Sequence, residues 1–417
     1  MSTKQLNFID LFAGAGGLSE GFIRAGYKPI AHVEMDKAAC YTLQTRTAYH
    51  YLKSNKKYNE YVKYLKGEID RDTLYAMIPQ HEKDSVINLA LGDENNAAIF
   101  KRIDKLLCEE EVDLIIGGPP CQAYSLVGRA RSENGMETDP RNHLYLQYAK
   151  FLKKYNPKMF VFENVLGLRS AGGGEYFKKM KEKFDKVGYE VKEFLLNAND
   201  FGVLQSRRRI IIIGYRKGLD ITIPELKPDN KKQFEVRSIF SDLPKLKAGE
   251  GEDKGGKYAN ESNEYLDHAH IRNGIDVLTQ HISRPHTEQD KEIYRIAVAQ
   301  LKTGARLDYK TLPERLKTHK NQHSFFDRFK VVNDKAFYTQ TIVAHIAKDG
   351  HYYIHPDIKQ NRSISVREAA RLQSFPDDFY FEGVKENANR TASFKQIGNA
   401  VPPLMAAIIS KVIKDIL

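Results

Sequence analysis

The stretch Asn7-Phe8-Ile9-Asp10-Leu11-Phe12-Ala13-Gly14-Ala15-Gly16-Gly17-Leu18 decides the fold. Asn7–Leu11 is mostly apolar and reads as a buried strand, and Gly14, Gly16 and Gly17 then crowd a short turn before amphipathic sequence resumes. Glycines at such a turn let the chain reverse tightly and bring its backbone close to a ligand, at the start of the following helix. Twenty residues beyond Gly14, at the end of the next strand candidate, stands Glu34. A carboxylate there can accept hydrogen bonds from ribose hydroxyls. The spacing is not Gly-x-Gly-x-x-Gly, so a dinucleotide is not favoured and a nucleoside cofactor without phosphate stays open. Taken alone, the loop is explained as well by a tight strand–helix turn beside an exposed acid.

Outward from this unit the alternation continues. Strands are expected at Pro29–Glu34, Val86–Leu91, Val112–Ile116, Met159–Glu163, Tyr189–Leu196 and Arg209–Tyr215, with amphipathic segments between most of them. In one of these, Leu144, Tyr148, Phe151, Leu152 and Tyr155 share one helical face. Such alternation predicts a parallel sheet with helices on both faces, and ligands at the carboxyl ends of its strands. Residues 43–85 are a Tyr/Lys-rich insert, expected to be helical and to form a solvated surface element rather than a binding arm. Past residue 245 the rhythm dissolves. Residues 248–267 carry six acids against two lysines among four glycines and read as an exposed loop. Residues 302–335 hold nine Lys/Arg against four acids, with Tyr309, Phe325, Phe326 and Phe329 interleaved. We expect a first domain over 1–245 plus 385–417 and a second, smaller one over 246–384. Ser365-Val366-Arg367-Glu368 is a capping box opening a helix, and a last helix follows Pro402-Pro403.

The chain has 417 residues and a net charge of +11, a balance that fits a polyanionic partner. No apolar run approaches the roughly 18 residues of a membrane span, and the polar start lacks a signal-peptide core. Three widely spaced cysteines, Cys40, Cys108 and Cys121, are too few for a disulfide framework or a Cys-x-x-Cys metal site. These features predict a cytoplasmic protein with reduced thiols, no metal and no membrane contact.

Three further motifs carry chemistry. Gly117-Gly118-Pro119-Pro120-Cys121-Gln122 follows an apolar strand and sets a thiol at the sheet edge, either a nucleophile or a small buried hydrophobe. Phe162-Glu163-Asn164-Val165 ends the next strand, so Glu163 is a candidate general acid or a structural partner for an arginine. In Gln205-Ser206-Arg207-Arg208-Arg209 an extended backbone puts Arg207 and Arg209 on one face. They could meet one anion there, or belong to a solvated basic run.

Together these motifs resemble the DNA (cytosine-5) methyltransferase family of bacterial restriction-modification type. The resemblance runs in order through the Phe12–Gly17 loop, Pro120-Cys121-Gln122, Glu163-Asn164-Val165 and Gln205-x-Arg207-x-Arg209. It ends with Arg367-Glu368-Ala369-Ala370-Arg371-Leu372-Gln373 and Gln396-Ile397-Gly398-Asn399-Ala400-Val401. It implies a Rossmann-like S-adenosylmethionine-dependent sheet with a smaller target-recognition domain, acting on carbon 5 of a cytosine flipped out of duplex DNA. Cys121 matches the nucleophile that adds to carbon 6. Glu163 would hold or protonate the ring at N3, Arg207 would contact the base's oxygen, and Arg209 would steady the Cys121 surroundings or a phosphate. Phe12, Gly14, Gly17, Glu34, Met35, Asp93, Asn399 and Ala400 match the cofactor pocket. Ser125, Arg129 and Arg131 lie in the loop that would close on DNA, Lys317 and Lys330 are expected at phosphates, and Thr341-Ile342 matches the family's Thr-aliphatic pair. A restriction endonuclease acting separately and a monomeric state are also expected. Pro119, where many members carry Phe, and the long 43–85 insert depart from the pattern. The rivals are the tRNA-modifying branch, whose Cys-Phe-Thr signature is absent, a catalytically dead DNA-binding regulator, and a nicotinamide oxidoreductase.

Overall fold

The computed structural model describes residues 5–120, 143–228, 232–318, 326–386 and 389–417. Seven strands form the main sheet: β1 (Asn7–Leu11), β2 (Lys28–Glu34), β3 (Val86–Asn88), β4 (Leu114–Gly117), β5 (Met159–Asn164), β6 (Tyr189–Asn197) and β7 (Arg208–Arg216). Every strand read from the sequence is present, its ends shifted by three residues at most. The order is β3-β2-β1-β4-β5-β7-β6. The first five run parallel, but β7 is antiparallel to both β5 and β6, which corrects the expectation of an all-parallel sheet. Residues 198–207 are too short a link for the helical crossover that parallel neighbours require, so β6 and β7 fold back as a hairpin. The reversal has a consequence for chemistry. It brings the start of β7 to the edge where the parallel strands end, with Asn164 opposite Ile210.

The helices are α1 (Gly17–Arg24), α2 (Lys37–Ser54), α3 (Tyr58–Lys66), α4 (Arg71–Ala76), α5 (Gln80–Asp84), α6 (Asp93–Leu107), α7 (Leu144–Tyr155) and α8 (Glu175–Lys186). They continue with α9 (Glu264–His268), α10 (Glu288–Lys302), α11 (Val366–Leu372), α12 (Arg390–Asn399) and α13 (Pro403–Lys414). The apolar faces of α6, α7 and α8 cover one side of the sheet. On the other side α1 and α13 pack over Phe8, Leu114, Ile116 and Val161. Those two helices approach so closely that a Cβ on Gly21 would lie 2.4 Å from the Ala406 Cβ. The C-terminal segment is thereby returned to the first βα unit. By length and composition the stretch Arg390–Lys414 could cross a membrane, but its most apolar 18-residue window is 72% buried inside the protein.

The insert is helical, as expected, but it is no solvated appendage. Tyr49, Leu52, Tyr61, Tyr64, Leu65 and Leu74 are buried in a core of their own with Ile275, Val277 and Tyr380. Tyrosines three apart on α3 form an inward stripe, while Lys63 and Lys66 keep their charges outside. Residues beyond 245 contribute to two further cores. One groups Ile293, Tyr294, Leu307, Tyr309, Leu316, Phe329 and Ile354. The other buries α11 with Val332, Ile342 and Phe375, and also takes in Ala15, Leu204 and Ala400 from the sheet side. The capping box at Ser365 is formed, with Glu368 N donating to Ser365 Oγ at 3.2 Å.

Candidate active site at the carboxyl edge of the sheet

The end of β4 is squeezed between its neighbours. A Cβ on Gly117, whose φ is +145°, would lie 1.9 Å from the Leu11 carbonyl oxygen. One on Gly118 would lie 2.6 Å from the Glu163 carbonyl oxygen and 2.7 Å from Glu163 Oε2. Both glycines are thus required where β4 passes between β1 and β5. The Glu163 carboxylate accepts the Arg209 Nε at 2.7 Å, with both side chains largely buried. Asn164 Nδ2 donates to the Pro119 carbonyl at 3.3 Å. The Glu163 carboxylate is therefore fixed against the backbone that enters Pro119-Pro120. Cys121, Ser125, Arg129 and Arg131 lie outside the described residues.

The cofactor-side residues gather at the ends of β1 and β2. Glu34 Oε2 accepts the Gly14 N–H at 2.8 Å and Oε1 the Asp36 N–H at 2.7 Å. Burial pushes the Glu34 carboxyl up, against the pull of those two amides. Gly14 has φ +55°, and nothing lies within 4 Å of where its Cβ would be. Phe12, with φ +57°, turns in the left-handed region that a β-substituted residue rarely adopts. Met35 is 68% exposed beside them, an apolar side chain held in the open. Space above Gly14, a pinned carboxylate and an uncovered apolar side chain fit a nucleoside-bearing cofactor. Gly17 has another reason to be glycine, since its Cβ would lie 2.3 Å from the Val401 carbonyl oxygen. That contact brings exposed Asn399 and buried Ala400 to the same loop. Asp93 opens α6 and accepts from Gln147 Nε2 at 3.0 Å and from Lys150 Nζ, both on α7.

The two arginines do not share an anion. Arg209 takes Glu163, whereas Arg207 is fully buried and donates to the carbonyls of Ile342 at 2.8 Å and Gly398 at 3.1 Å. The strand-like segment beside it is pinned to the hairpin, with Ser206 N donating to Thr339 O at 2.9 Å and Thr341 Oγ1 to Ser206 O at 2.5 Å. Thr341-Ile342 thus belongs to the active-site edge. Lys317 and Lys330 do not sit there as open charges. Lys317 pairs with Glu314, and Lys330 with Asp327 at 2.7 Å while lying over the Tyr352 ring. Tyr309 and Phe329, expected to interleave with the basic residues, stack on each other in the core. Among the described residues no group of three His, Cys, Asp or Glu could hold a metal.

Three charged side chains have partners that no local pattern names. Arg371 is fully buried against Asp242 and Asp377, with Nη1–Oδ1 and Nη2–Oδ2 distances of 2.5 Å. Arg362 grips Glu368 with two contacts of 2.7 Å. Asp36 caps α2 through Ala38 N and Ala39 N and pairs with Lys395 of α12 at 2.7 Å. The signal available for Arg371 was a pair of arginines four apart in a helix whose other residues, Glu368 excepted, are apolar.

A profile of C-5 cytosine-specific DNA methylases matches residues 6–79 and 81–415. The type II methyltransferase M.Bpa9945I of Bacillus paralicheniformis is 41% identical to this chain, over 98% of each. M.DdeI of Desulfomicrobium norvegicum, also a type II methyltransferase, is 31% identical over 97% of this chain and 88% of its own. An E. coli prophage-encoded protein described as a DNA modification methyltransferase superposes with a TM-score of 0.64 at 22% identity, covering 99% of each chain. The Entamoeba histolytica methyltransferase EhMeth does so at 0.56 and 16% identity, covering both chains fully. These two likenesses establish the fold. The chain belongs to the C-5 cytosine-specific DNA methylase family, and it is a DNA (cytosine-5) methyltransferase that uses S-adenosylmethionine. The tRNA-modifying, dead-regulator and oxidoreductase readings give way to that membership.

Proposed function

We propose that this chain methylates one cytosine of a specific duplex sequence through covalent addition of Cys121. Carbon 5 of cytosine is too poor a nucleophile to act unaided, and addition of a thiolate to carbon 6 turns the ring into an enamine. The bound cofactor supplies an electrophilic methyl group. The observation that carries the reading is the Glu163 carboxylate, fixed by Arg209 and pressed on Gly118 three residues before the thiol. From there Glu163 holds the proton at ring N3 while the adduct forms. Glu34 holds the ribose hydroxyls and Met35 packs on the adenine. Phe12, Gly14, Gly17 and Ala400 line the remaining pocket, and Asn399 closes it from α12. Asp93, at the start of α6, would hold the adenine amino group. The target cytosine is flipped out of the duplex, because its reacting atoms are otherwise stacked out of reach. Ser125, Arg129, Arg131 and Thr341 face the DNA, whereas Lys317 and Lys330, paired with Glu314 and Asp327, offer it no open charge. Residues 246–384 form the recognition domain.

The named relatives are type II methyltransferases, and we extend that role to this chain. It protects host DNA, as a monomer in the bacterial cytoplasm at the nucleoid, from an endonuclease that acts separately. Bisulfite sequencing of DNA from cells expressing the protein tests the activity and reads out the site. Wild type should protect one cytosine of a recurring sequence. The Cys121→Ala protein should protect none while binding S-adenosylmethionine as wild type does. Turnover retained by the alanine variant would remove Cys121 from the reaction.

A further inference from the structure

Four family motifs meet at two buried side-chain amides. Gln205 Oε1 accepts the Ile342 N–H at 2.7 Å, and its Nε2 donates to Leu372 O and to Gln373 Oε1, both at 3.1 Å. Gln373 Nε2 in turn donates to Ile397 O at 2.7 Å. The orientation of each amide is fixed by its neighbours, because the relay starts at a backbone N–H and ends on a carbonyl. Arg207 closes the circuit by bonding Ile342 O and Gly398 O. Gly398 itself lies against the recognition-side backbone, where a Cβ would be 2.2 Å from Ala344 N. Gln205, Arg207, Ile342, Gln373 and Ile397 have no exposed surface, so an amide that loses its partner here has no water to replace it. On one side of this junction Phe337, Tyr338 and Val343 are exposed. On the other, directly after Gly398, stand Asn399 and Ala400.

We propose that Gln205 and Gln373 are positioning residues whose amide relay, with Arg207, couples the DNA-facing segment around Thr341–Val343 to the cofactor-facing end of α12. The proposal rests on the reading that places that segment on DNA and Asn399 on the cofactor. The segment cannot shift relative to α12 without breaking the relay. Engagement of one ligand therefore sets the position of the groups that meet the other, and the two affinities are linked reciprocally.

The test is a binding cycle on the full chain. S-adenosylhomocysteine is titrated alone and in the presence of saturating duplex carrying the sequence found by bisulfite sequencing. Wild type should bind it at least about fivefold more tightly with DNA present, within the usual range of such coupling. Gln373→Met, which keeps the side-chain length but removes both polar atoms, should bring that ratio within about twofold of unity. Each separate affinity should stay near wild type. Gln205→Met cuts the relay at its other end and should do the same if Gln373→Met does not fold, with thermal melts establishing which variants are native. A native variant that keeps the wild-type ratio overturns the proposal, and so does a ratio of one in wild type. Val343→Glu separates the two layers: if it leaves DNA affinity unchanged, the placement of the segment on DNA fails, whatever the relay variants do.

Discussion

Glu34 and Asp36 are two carboxylates two residues apart at the same strand end. Geometry separates them. The Asp36 carboxylate is occupied by the first turn of α2 and by Lys395, whereas Glu34 faces the open space over Gly14. Glu34→Ala should weaken S-adenosylmethionine binding by about 1.5–3 kcal/mol, roughly 10- to 150-fold, with DNA affinity little changed. Asp36→Ala should instead cost about 0.5–2 kcal/mol of stability through the lost cap. Isothermal titration and urea unfolding on the same two variants check both. Equal cofactor losses in the two would refute the distinction. The residue scale also explains the conspicuous Gly117-Gly118 pair, which a motif reading assigns to the thiol's loop. The structure assigns it to the passage of β4 between Leu11 and Glu163.

At the scale of the element, α11 is the clearest case of a motif whose role is structural support. Its seven residues are all buried, and its arginines bond carbonyls and carboxylates from three other segments. Around it burial pushes His281 down to about 4 and His355 to about 3. Both histidines are therefore neutral when folded, while in the unfolded chain they take up protons below about pH 6.5. A folded pKa depressed in this way gives stability that is complete above 6.5 and is lost as the pH falls toward 4. Each histidine should contribute a loss of about 2 kcal/mol between pH 6.5 and 5, at about 1.4 kcal/mol per pH unit. Glu368 adds nothing to that window. Against its burial, which acts the other way, the Arg362 guanidinium holds it well below the usual carboxylate range, so its share is lost only at lower pH. Urea unfolding at pH 7.5 and 5.0 should show the loss, and His355→Phe should reduce it. A stability that stays level across this window would contradict the assignment.

At the scale of the whole molecule, the choice of DNA sequence is assigned by exclusion. The reacting groups treat every flipped cytosine alike, so we propose that discrimination comes from residues 246–345, which contribute a core built on α10, Tyr309 and Phe329. With Lys317 and Lys330 already paired inside the chain, base edges and exposed side chains, rather than these two ammonium groups, should dominate the discrimination. Grafting 246–345 onto a relative of different specificity should transfer the methylated sequence. An active chimera that keeps the recipient's sites would place recognition elsewhere. Junctions need care, because Val332 and Ile342 share a core with Ala15 and Ala400.

The strands, the glycine turn and the order of the motifs were legible in the sequence because each is a local pattern. Apolar alternation sets a strand, a missing Cβ sets a turn, and a serine three residues before Glu368 sets a helix start. Three things were not legible. The reversed β7 depends on the length of a link that sequence pattern does not interpret. The insert's tyrosines look like a surface until Ile275, Val277 and Tyr380, more than two hundred residues away, arrive to cover them. The parting of Arg207 from Arg209 also lies outside any local pattern. An extended strand puts both on one face, but only the tertiary structure brings the Ile342 and Gly398 carbonyls to one guanidinium and Glu163 to the other. Local patterns fix what a segment can form; which partner satisfies a buried charge is decided by segments distant in the chain.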